Sequence, residues 1–395
     1  MNQAGQDSER EKQPAPESRP LRVVIAGAGT GGHLFPGIAV AEELMRRQPD
    51  TRVLFVTTGK AIEKTVLDRH TFAVATISAA GLKGMGLWQK IKSIFVVPKG
   101  FLQSIGLMRQ FQPDVVLAMG GYSAGPVLLS AWLMRIPRAI HEQNRLPGMT
   151  NRLLGRFATL IFLSFADSQI PGRKKKRVHT GNPVRRQIRE CRKTRQQAPA
   201  VLDEKPLSVL VLGGSQGAHG LNMAVLDALT YLPEPQKFRF IHQTGAADAE
   251  DVGRAYERLA IPATVASFFD NMADHYQAAD LAVCRAGATT VAELETIGLP
   301  AIFVPFPFAA DDHQVANAAG LVSAGAAEMI LEKDLTGQLL AERLAYYAEN
   351  PEKLRIMGNT DAVAGKPDAA ERLADGVSGL ARRARRKRSV KGYAE

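Results

Sequence analysis

The chain has 395 residues, 45% of them hydrophobic and 23% charged, and its 50 Lys and Arg against 39 Asp and Glu leave a net charge of +11. That length is too great for one compact core and suits two domains, while the composition excludes a disordered or fibrous chain. The two cysteines, Cys191 and Cys284, are too few for a disulfide framework or a four-thiolate metal site and fit a reducing cytoplasm.

In chain order, residues 1–20 are polar and proline-containing, with no apolar segment of signal-peptide type, and are read as a disordered tail. Two similar halves follow. Each opens with a short β-rich run, a glycine-rich loop and a helical pattern: LRVVIAGAGTGGHLFPGIAVAEELMRR in the first and LSVLVLGGSQGAHGLNMAVLDALTYL in the second. Strands are expected at Val23–Ala26, Val53–Thr57, Ala73–Ile77, Val115–Ala118, Arg138–His141 and Leu160–Leu163. In the second half they are expected at Val209–Leu212, Phe238–Gln243, Thr264–Ser267, Leu281–Cys284, Ala301–Val304 and Ala327–Ile330. Strands alternating with helices predict an α/β fold of two Rossmann-like domains whose parallel sheets face a central cleft.

The expected domains are 21–185 and 206–366, with a polar, basic linker at 186–205, a helix at 367–384 packing back on the first domain, and a basic tail at 385–395. No apolar run approaches the roughly 20 residues that span a bilayer. The positive excess, concentrated at Arg173–Arg195 and in ARRARRKRSVK at the end, points to an anionic partner.

The loops carry the chemistry. Gly27, Gly29 and Gly32 form G-x-G-x-x-G, but RVLFVTTGK has no acidic ribose binder at the end of the second strand, which argues against a dinucleotide. What the loop supplies is backbone N–H groups at a helix N-terminus, suited to a phosphate or diphosphate. His33 follows at the mouth of that helix and is read as a general base. A second glycine turn at Gly120, Gly121 and Tyr122 would converge with Gly29 into a cradle for an acceptor's diphosphate. In HEQN, His141–Asn144, Asn144 is read as bonding a ligand, and Glu142 equally as a structural acceptor for local N–H groups. In the second half, Gly213–Gly217 with Ser215 makes another phosphate cradle. Thr289 and Thr290 start a helix suited to a diphosphate, and Glu293 lies one turn in, suited to a ribose diol. Asp311, Asp312, His313 and Gln314 make better sense as hydrogen-bonders to a sugar than as metal ligands.

Six ordered motifs, GTGGHLFPG, MGGY-x-x-GP, HEQN-x-x-PG-x-TNR, TGNPVR, GGSQGA and AGATTVAEL-x-x-x-GLP-x-x-x-VP, resemble the MurG family of peptidoglycan N-acetylglucosaminyltransferases over residues 21–380. The resemblance implies a GT-B fold and transfer of GlcNAc from UDP-GlcNAc, with inversion, to the C4 hydroxyl of MurNAc in undecaprenyl-diphosphate-MurNAc-pentapeptide (lipid I), giving lipid II and UDP. It puts Thr30, Gly31 and Gly32 near the reacting sugar and phosphates, with His33 as base. Asn144, Arg185 and Gln314 become donor contacts and Ser215 a diphosphate contact. Ala288, Thr289, Thr290, Val291, Ala292 and Glu293 form the diphosphate and ribose segment, and the Phe269 backbone meets uracil. No cofactor is required; magnesium on the diphosphate is compatible with the sequence without being indicated by it, and no metal ligands are assigned.

A lipid acceptor demands a membrane-facing surface, and GLKGMGLWQKIKSIFVVPKGFLQ is the candidate. Its Leu82, Leu87, Trp88, Ile94 and Phe95 are interleaved with Lys83 and further lysines, the pattern of an interfacial segment meeting anionic lipid. The expected location is the cytoplasmic face of the cell membrane, held peripherally. Rival readings on the same plan are a UDP-sugar-dependent glycolipid synthase and a UDP-GlcNAc 2-epimerase. A nucleic-acid partner is not expected, because the cations are not interleaved with aromatic stacking residues.

Overall fold

The computed structural model describes residues 19–27, 29–79, 87–197, 205–309, 312–360 and 365–392, without the side chains of 87–95, 196–197 and 388–392. The first domain runs β1 (Arg22–Gly27), α1 (Gly31–Arg47), β2 (Arg52–Thr57), α2 (Ala61–Leu67), β3 (Ala73–Thr76), α3 (Leu87–Phe111), β4 (Val115–Gly120), α4 (Ala124–Leu133), β5 (Arg138–Glu142), α5 (Met149–Leu154), β6 (Leu160–Leu163) and β7 (Arg177–His179). The second begins with α6 (Arg186–Gln197) and continues β8 (Leu207–Leu212), α7 (His219–Leu229), β9 (Phe238–Gln243), α8 (Ala249–Arg258), β10 (Ala263–Ala266), α9 (Met272–Ala278), β11 (Leu281–Cys284), α10 (Ala288–Ile297), β12 (Ala301–Phe303), α11 (His313–Ser323), β13 (Ala327–Met329), α12 (Gly337–Glu349) and α13 (Pro351–Gly358). The last helix is α14 (Ala369–Gly392).

The sheets are parallel, in the orders β3-β2-β1-β4-β5-β6-β7 and β10-β9-β8-β11-β12-β13. Their apolar strands are covered on both faces, as parallel sheets require. Val23 and Ile25 pack with α1 and α14, and Val24 and Ala26 pack against Met108, Val127 and Ala131 from the opposite side. Val209 and Val211 likewise divide from Leu210 and Leu212. In each sheet the strand order reverses once, between β1 and β4 and between β8 and β11. Ligands of open α/β sheets bind outside the carboxyl ends of strands at such points. All four glycine loops singled out in the sequence leave those four strands.

Three segments differ from their sequence reading. The supposed linker 186–205 is helical over Arg186–Gln197. Its Ile188 and Cys191 lie in the core of the second domain, and Arg195 donates to the Tyr276 and Ala279 carbonyls at the end of α9. Two apolar residues among four arginines hid an amphipathic helix, two of whose arginines, Arg192 and Arg195, donate to carbonyls at the ends of neighbouring helices. The strand β7 was not expected, because its three residues sit within a basic run; it is a sheet edge, where charged residues block further pairing. The basic tail 385–395 is helical as far as Gly392.

The face of α14 formed by Leu373, Ala374, Val377, Leu380 and Ala381 enters the core under α1 and β1. Beyond it, Arg385 pairs with the buried Asp114 at 2.5 Å and donates to the Arg19 and Pro20 carbonyls. Asp114 also accepts from the Arg22 N–H and from Arg19. Burial disfavours the Asp114 charge, but Arg385, the Arg22 N–H and Arg19 outweigh it and hold the carboxyl below the usual range. The stability from this lowered value is present above the unfolded Asp pKa of about 3.9 and is lost as the pH falls through the folded one. Arg385→Ala is therefore expected to lower stability at pH 7 by roughly 1–3 kcal/mol. The gap to the parent protein should close in strong acid, which urea unfolding at a series of pH values would measure.

Candidate active site

Between the two sheets lies a cavity of about 680 Å³, lined by the loops after β1 and β8, the start of α10, Gln143 and Asn144 just past β5, and residues of α9 and α11. Helices α1, α7 and α10 all begin on it. None has a side-chain cap, and none carries an acidic residue in its first turn. Their first N–H groups therefore present positive partial charge to the cavity.

The domains are held across it by a few polar contacts, one of which starts from a proline. Pro36 lies inside α1 and has no N–H for the carbonyl four residues earlier. That carbonyl belongs to Gly32, and it accepts instead from the Thr289 hydroxyl of α10 at 3.0 Å. Asn317 on α11 donates to the Asn144 side chain at 3.2 Å and accepts from the Arg145 N–H at 3.0 Å. Asn182, in the connection between domains, donates to the Ala288 carbonyl at 3.1 Å.

His33 is the third residue of α1 and is half-buried on the cavity wall. Burial lowers its pKa from the ordinary 6.5, against opposing effects of Glu142 and of hydrogen bonds to Gln143 and the Met119 carbonyl, so the ring is neutral at pH 7. Its Nδ1 is 3.2 Å from Gln143 Oε1. Gly120 backs the ring: a Cβ there would stand 3.0 Å from His33 Cε1, and its φ of +94° disfavours any other residue.

The four residues of HEQN alternate sides, as a strand end must. His141 and Gln143 turn toward His33. Glu142 turns away, buried, and accepts from the N–H groups of Asn144 and Gly148 and from the Asn144 and Asn151 side chains. That is the structural role held open for it in the sequence. Gln143 received no role there, although the period-two alternation puts it on the histidine side.

In the second domain, Glu293 is buried and accepts from Tyr276 Oη at 2.8 Å and from Arg185 Nη2 at 3.2 Å. The Arg185 guanidinium lies 4.2 Å over the Phe35 ring. Burial, followed by the Glu293 carboxylate, raises the Tyr276 pKa well above its ordinary value and keeps it a donor. Tyr276 carried no signal in the sequence beyond an apolar helix position. The Gln314 carbonyl oxygen accepts from the Ala286 and Phe306 N–H groups, which leaves its amide N–H groups for the cavity. The Phe269 N–H is committed to Gln243 Oε1 at 2.9 Å.

Thus Thr30, Gly31, Gly32, His33, Asn144, Arg185, Ser215, Phe269, Ala288, Thr289, Thr290, Glu293 and Gln314 come together on one cavity. Others do not. Val291 lies in the core and Ala292 packs against it; both line a separate cavity behind α10, because helical periodicity turns them away from Glu293. The Gly29 N–H is bound to the buried Glu63 carboxylate at 2.6 Å, so it is not open to an anion. Gly120 is filled by the His33 ring. Gly121 and the exposed Tyr122 follow Gly120 outside the cavity lining, and Lys60 Nζ lies 5.7 Å from the Tyr122 ring centroid. Of the expected membrane residues, Leu82 and Lys83 fall outside the described residues, as do the side chains of Leu87, Trp88, Ile94 and Phe95. Among the described residues, no helix is long and apolar enough to cross a membrane, and no three His, Cys, Asp or Glu side chains gather as a metal site.

Residues 23–163 match the glycosyltransferase family 28 N-terminal domain, and residues 208–373 match the glycosyltransferase family 28 C-terminal domain. Similar chains include two named UDP-N-acetylglucosamine–N-acetylmuramyl-(pentapeptide) pyrophosphoryl-undecaprenol N-acetylglucosamine transferase. That of Anaeromyxobacter sp. (strain Fw109-5) is 45% identical over 92% of this chain and 94% of its own. That of Myxococcus xanthus (strain DK1622) is 43% identical over 90% and 92%. The crystal structure of Acinetobacter baumannii MurG superposes with a TM-score of 0.69 at 34% identity, over 91% of this chain and 100% of that one. A UDP-GlcNAc 2-epimerase from Neisseria meningitidis, at 16% identity and a TM-score of 0.62, shares the fold. With two parallel sheets in the GT-B arrangement and both family domains matched in order, the chain belongs to glycosyltransferase family 28, in its MurG group of N-acetylglucosaminyltransferases.

Proposed function

We propose that the chain transfers GlcNAc from UDP-GlcNAc to the C4 hydroxyl of the MurNAc unit of lipid I, with inversion, forming lipid II and UDP. The observation that carries this reading is the cavity itself. Three uncapped helix N-termini, from both domains, open onto one space that also holds a neutral histidine and a glutamate oriented by two donors.

In this reading the donor lies on the second domain. The first-turn amides of α10 and the loop around Ser215 face its diphosphate, Glu293 accepts from the ribose hydroxyls, and the Gln314 amide donates to the sugar. A carboxylate offers about four acceptor positions. Tyr276 and Arg185 use two and fix the orientation of the rest. The acceptor's C4 hydroxyl attacks the anomeric carbon from the face opposite UDP. Its proton passes to His33, the new C–O bond forms as the sugar–phosphate bond breaks, and the electron pair leaves on the UDP diphosphate. Positive charge spreads over the anomeric carbon, as in glycoside hydrolysis. The developing negative charge meets helix N-termini already pointed at it, so little reorganisation is needed.

The acceptor's own diphosphate is assigned to Lys60, Gly121 and Tyr122, outside the cavity lining. Its lipid chain is assigned to the neighbouring surface of the first domain, where α4 packs beside α3 and α5. Exposed Trp132 and Leu133 end α4, exposed Met149 and Leu153 lie on α5, and exposed Arg135 and Arg156 stand among them. Apolar side chains with adjacent cations support peripheral contact with anionic lipid.

Incubation of the purified protein with labelled UDP-GlcNAc and a lipid I analogue is expected to yield the disaccharide lipid and UDP. Absence of any disaccharide would overturn the reading. His33→Ala is expected to lower kcat by about 10²–10⁴ with little change in UDP affinity. Glu293→Ala is expected to weaken UDP binding roughly tenfold to a hundredfold, through lost charged hydrogen bonds. Steady-state kinetics and calorimetry separate the two effects. Because the base acts in its neutral form, kcat/KM should fall as the pH drops through an inflection below 6.5 and be flat from there to pH 8.

A further inference from the structure

We propose that Gln143 is a positioning residue for the transfer reaction: its amide fixes the tautomer of His33 and is itself fixed by the Met119 carbonyl and, through His141, by the Gly181 carbonyl at the domain connection. This deepens the reading of His33 as the base and rests on it.

The protons can be assigned without ambiguity because two acceptor-only groups bound the chain. The Met119 carbonyl, in β4, lies 2.8 Å from one end of the Gln143 amide, so that end is the NH2 group. The opposite end, 3.2 Å from His33 Nδ1, is therefore the carbonyl oxygen. It can only accept, so His33 carries its proton on Nδ1 and keeps the Nε2 lone pair. At the far side, His141 Nε2 has the Gly181 carbonyl at 3.2 Å and the Ser164 hydroxyl at 3.3 Å; the carbonyl can only accept, so that nitrogen carries a proton and the hydroxyl oxygen stands as a second acceptor. His141 Nδ1 then has a lone pair and accepts the second N–H of Gln143 at 3.2 Å. His141 is fully buried, and burial holds its pKa down at about 4, so it stays neutral.

Read from the domain connection outward, every bond points the same way. His141 donates to Gly181, Gln143 donates to His141, and His33 donates to Gln143. Gly181 adjoins Asn182, which binds the first residue of α10. One unbroken polar chain thus links the segment between the domains to the base. The titratable groups close enough to act on His33 are His141, which turns toward it, Glu142, which turns away, and His313 from α11. Glu142 is occupied by N–H donors and makes no hydrogen bond to the ring, so orientation of the imidazole falls to Gln143 together with the Met119 carbonyl, another group that can only accept. A base in the wrong tautomer offers an N–H where a lone pair is needed, and such an error costs orders of magnitude in rate.

The test is the nitrogen and proton spectrum of the histidine rings in the full-length protein at pH 7, with kinetics on the same samples. His33 is expected as the Nδ1–H tautomer and His141 as the Nε2–H tautomer. In Gln143→Leu, His33 should shift toward the Nε2–H form that histidine favours in water, and kcat should fall at least tenfold with the donor KM unchanged. Gln143→Glu, which restores an acceptor, should return the Nδ1–H form and move the acidic limb of the kcat/KM profile upward. A His33 ring that is Nε2–H in the parent protein would overturn the proposal, as would a tautomer and kcat unmoved by Gln143→Leu. Unchanged thermal unfolding and donor binding in Gln143→Leu would separate lost positioning from lost folding. Failure of the base reading itself would show separately, as full activity in His33→Ala.

Discussion

A carbonyl without a helical partner sets the active geometry. Pro36 leaves Gly32 unsatisfied within the first turns of α1, and a buried carbonyl without a donor is costly. The Thr289 hydroxyl meets it from the other domain. The bond is short-range and directional, so it places the start of α10 against the start of α1. It thereby sets the separation between His33, one residue beyond Gly32, and Glu293, one turn beyond Thr289. Asn317 and Asn182 add neighbouring cross-domain bonds, but neither lies between the two helix starts.

Electrostatics follow the same economy. A site for two diphosphates has to avoid unpaired negative charge, and the carboxylates in and behind its wall are paired with donors. Asp270 pairs with Arg69 and Glu332 with Arg285. Glu63 accepts from the Gly29, Thr58 and Lys60 N–H groups and from the Thr58 hydroxyl. Glu142 holds the turn from Asn144 to Asn151, and Glu293 is held by Tyr276 and Arg185. These carboxylates shape the loops from within, and the uncapped helix ends are left facing outward to substrate. The first glycine loop is thus a more divided structure than its sequence pattern suggests, with one N–H turned inward to Glu63 and the helix start turned to the cavity.

Much of this was legible in the residues. Strands such as Val115–Gly120 and Leu281–Cys284 are buried on both faces and read as plain apolar runs, and glycine turns mark their carboxyl ends. What escaped depends on distant partners. The helix α6 places Ile188 and Cys191 in the core, and its Arg195 donates to carbonyls of a segment some eighty residues away. Val291 and Ala292 travelled with their motif, although a count of 3.6 residues per turn puts them off the Glu293 face. Tyr276 could not be read as a site residue, because its value lies in one hydroxyl aimed at Glu293. Pro36 did leave a trace: a proline inside a helical pattern announces an unsatisfied carbonyl four residues before it, without saying what will fill it.

The neutrality of the chain behind His33 fits the reaction it would serve. A carboxylate behind the imidazole would favour the imidazolium and raise the pKa of a base that has to be unprotonated near pH 7 to accept a proton. It would also add a further negative charge beside two diphosphates. An amide supplies orientation with little charge, and burial then keeps the ring neutral before the acceptor arrives. Once the proton has moved, the imidazolium faces a leaving diphosphate in the same cavity, and its charge is opposed to that of the product. The amide is only a weak partner for that cation, so the ring returns its proton readily when UDP departs. A neutral partner therefore suits both ends of the cycle: a base that is unprotonated beforehand and an acid that does not linger.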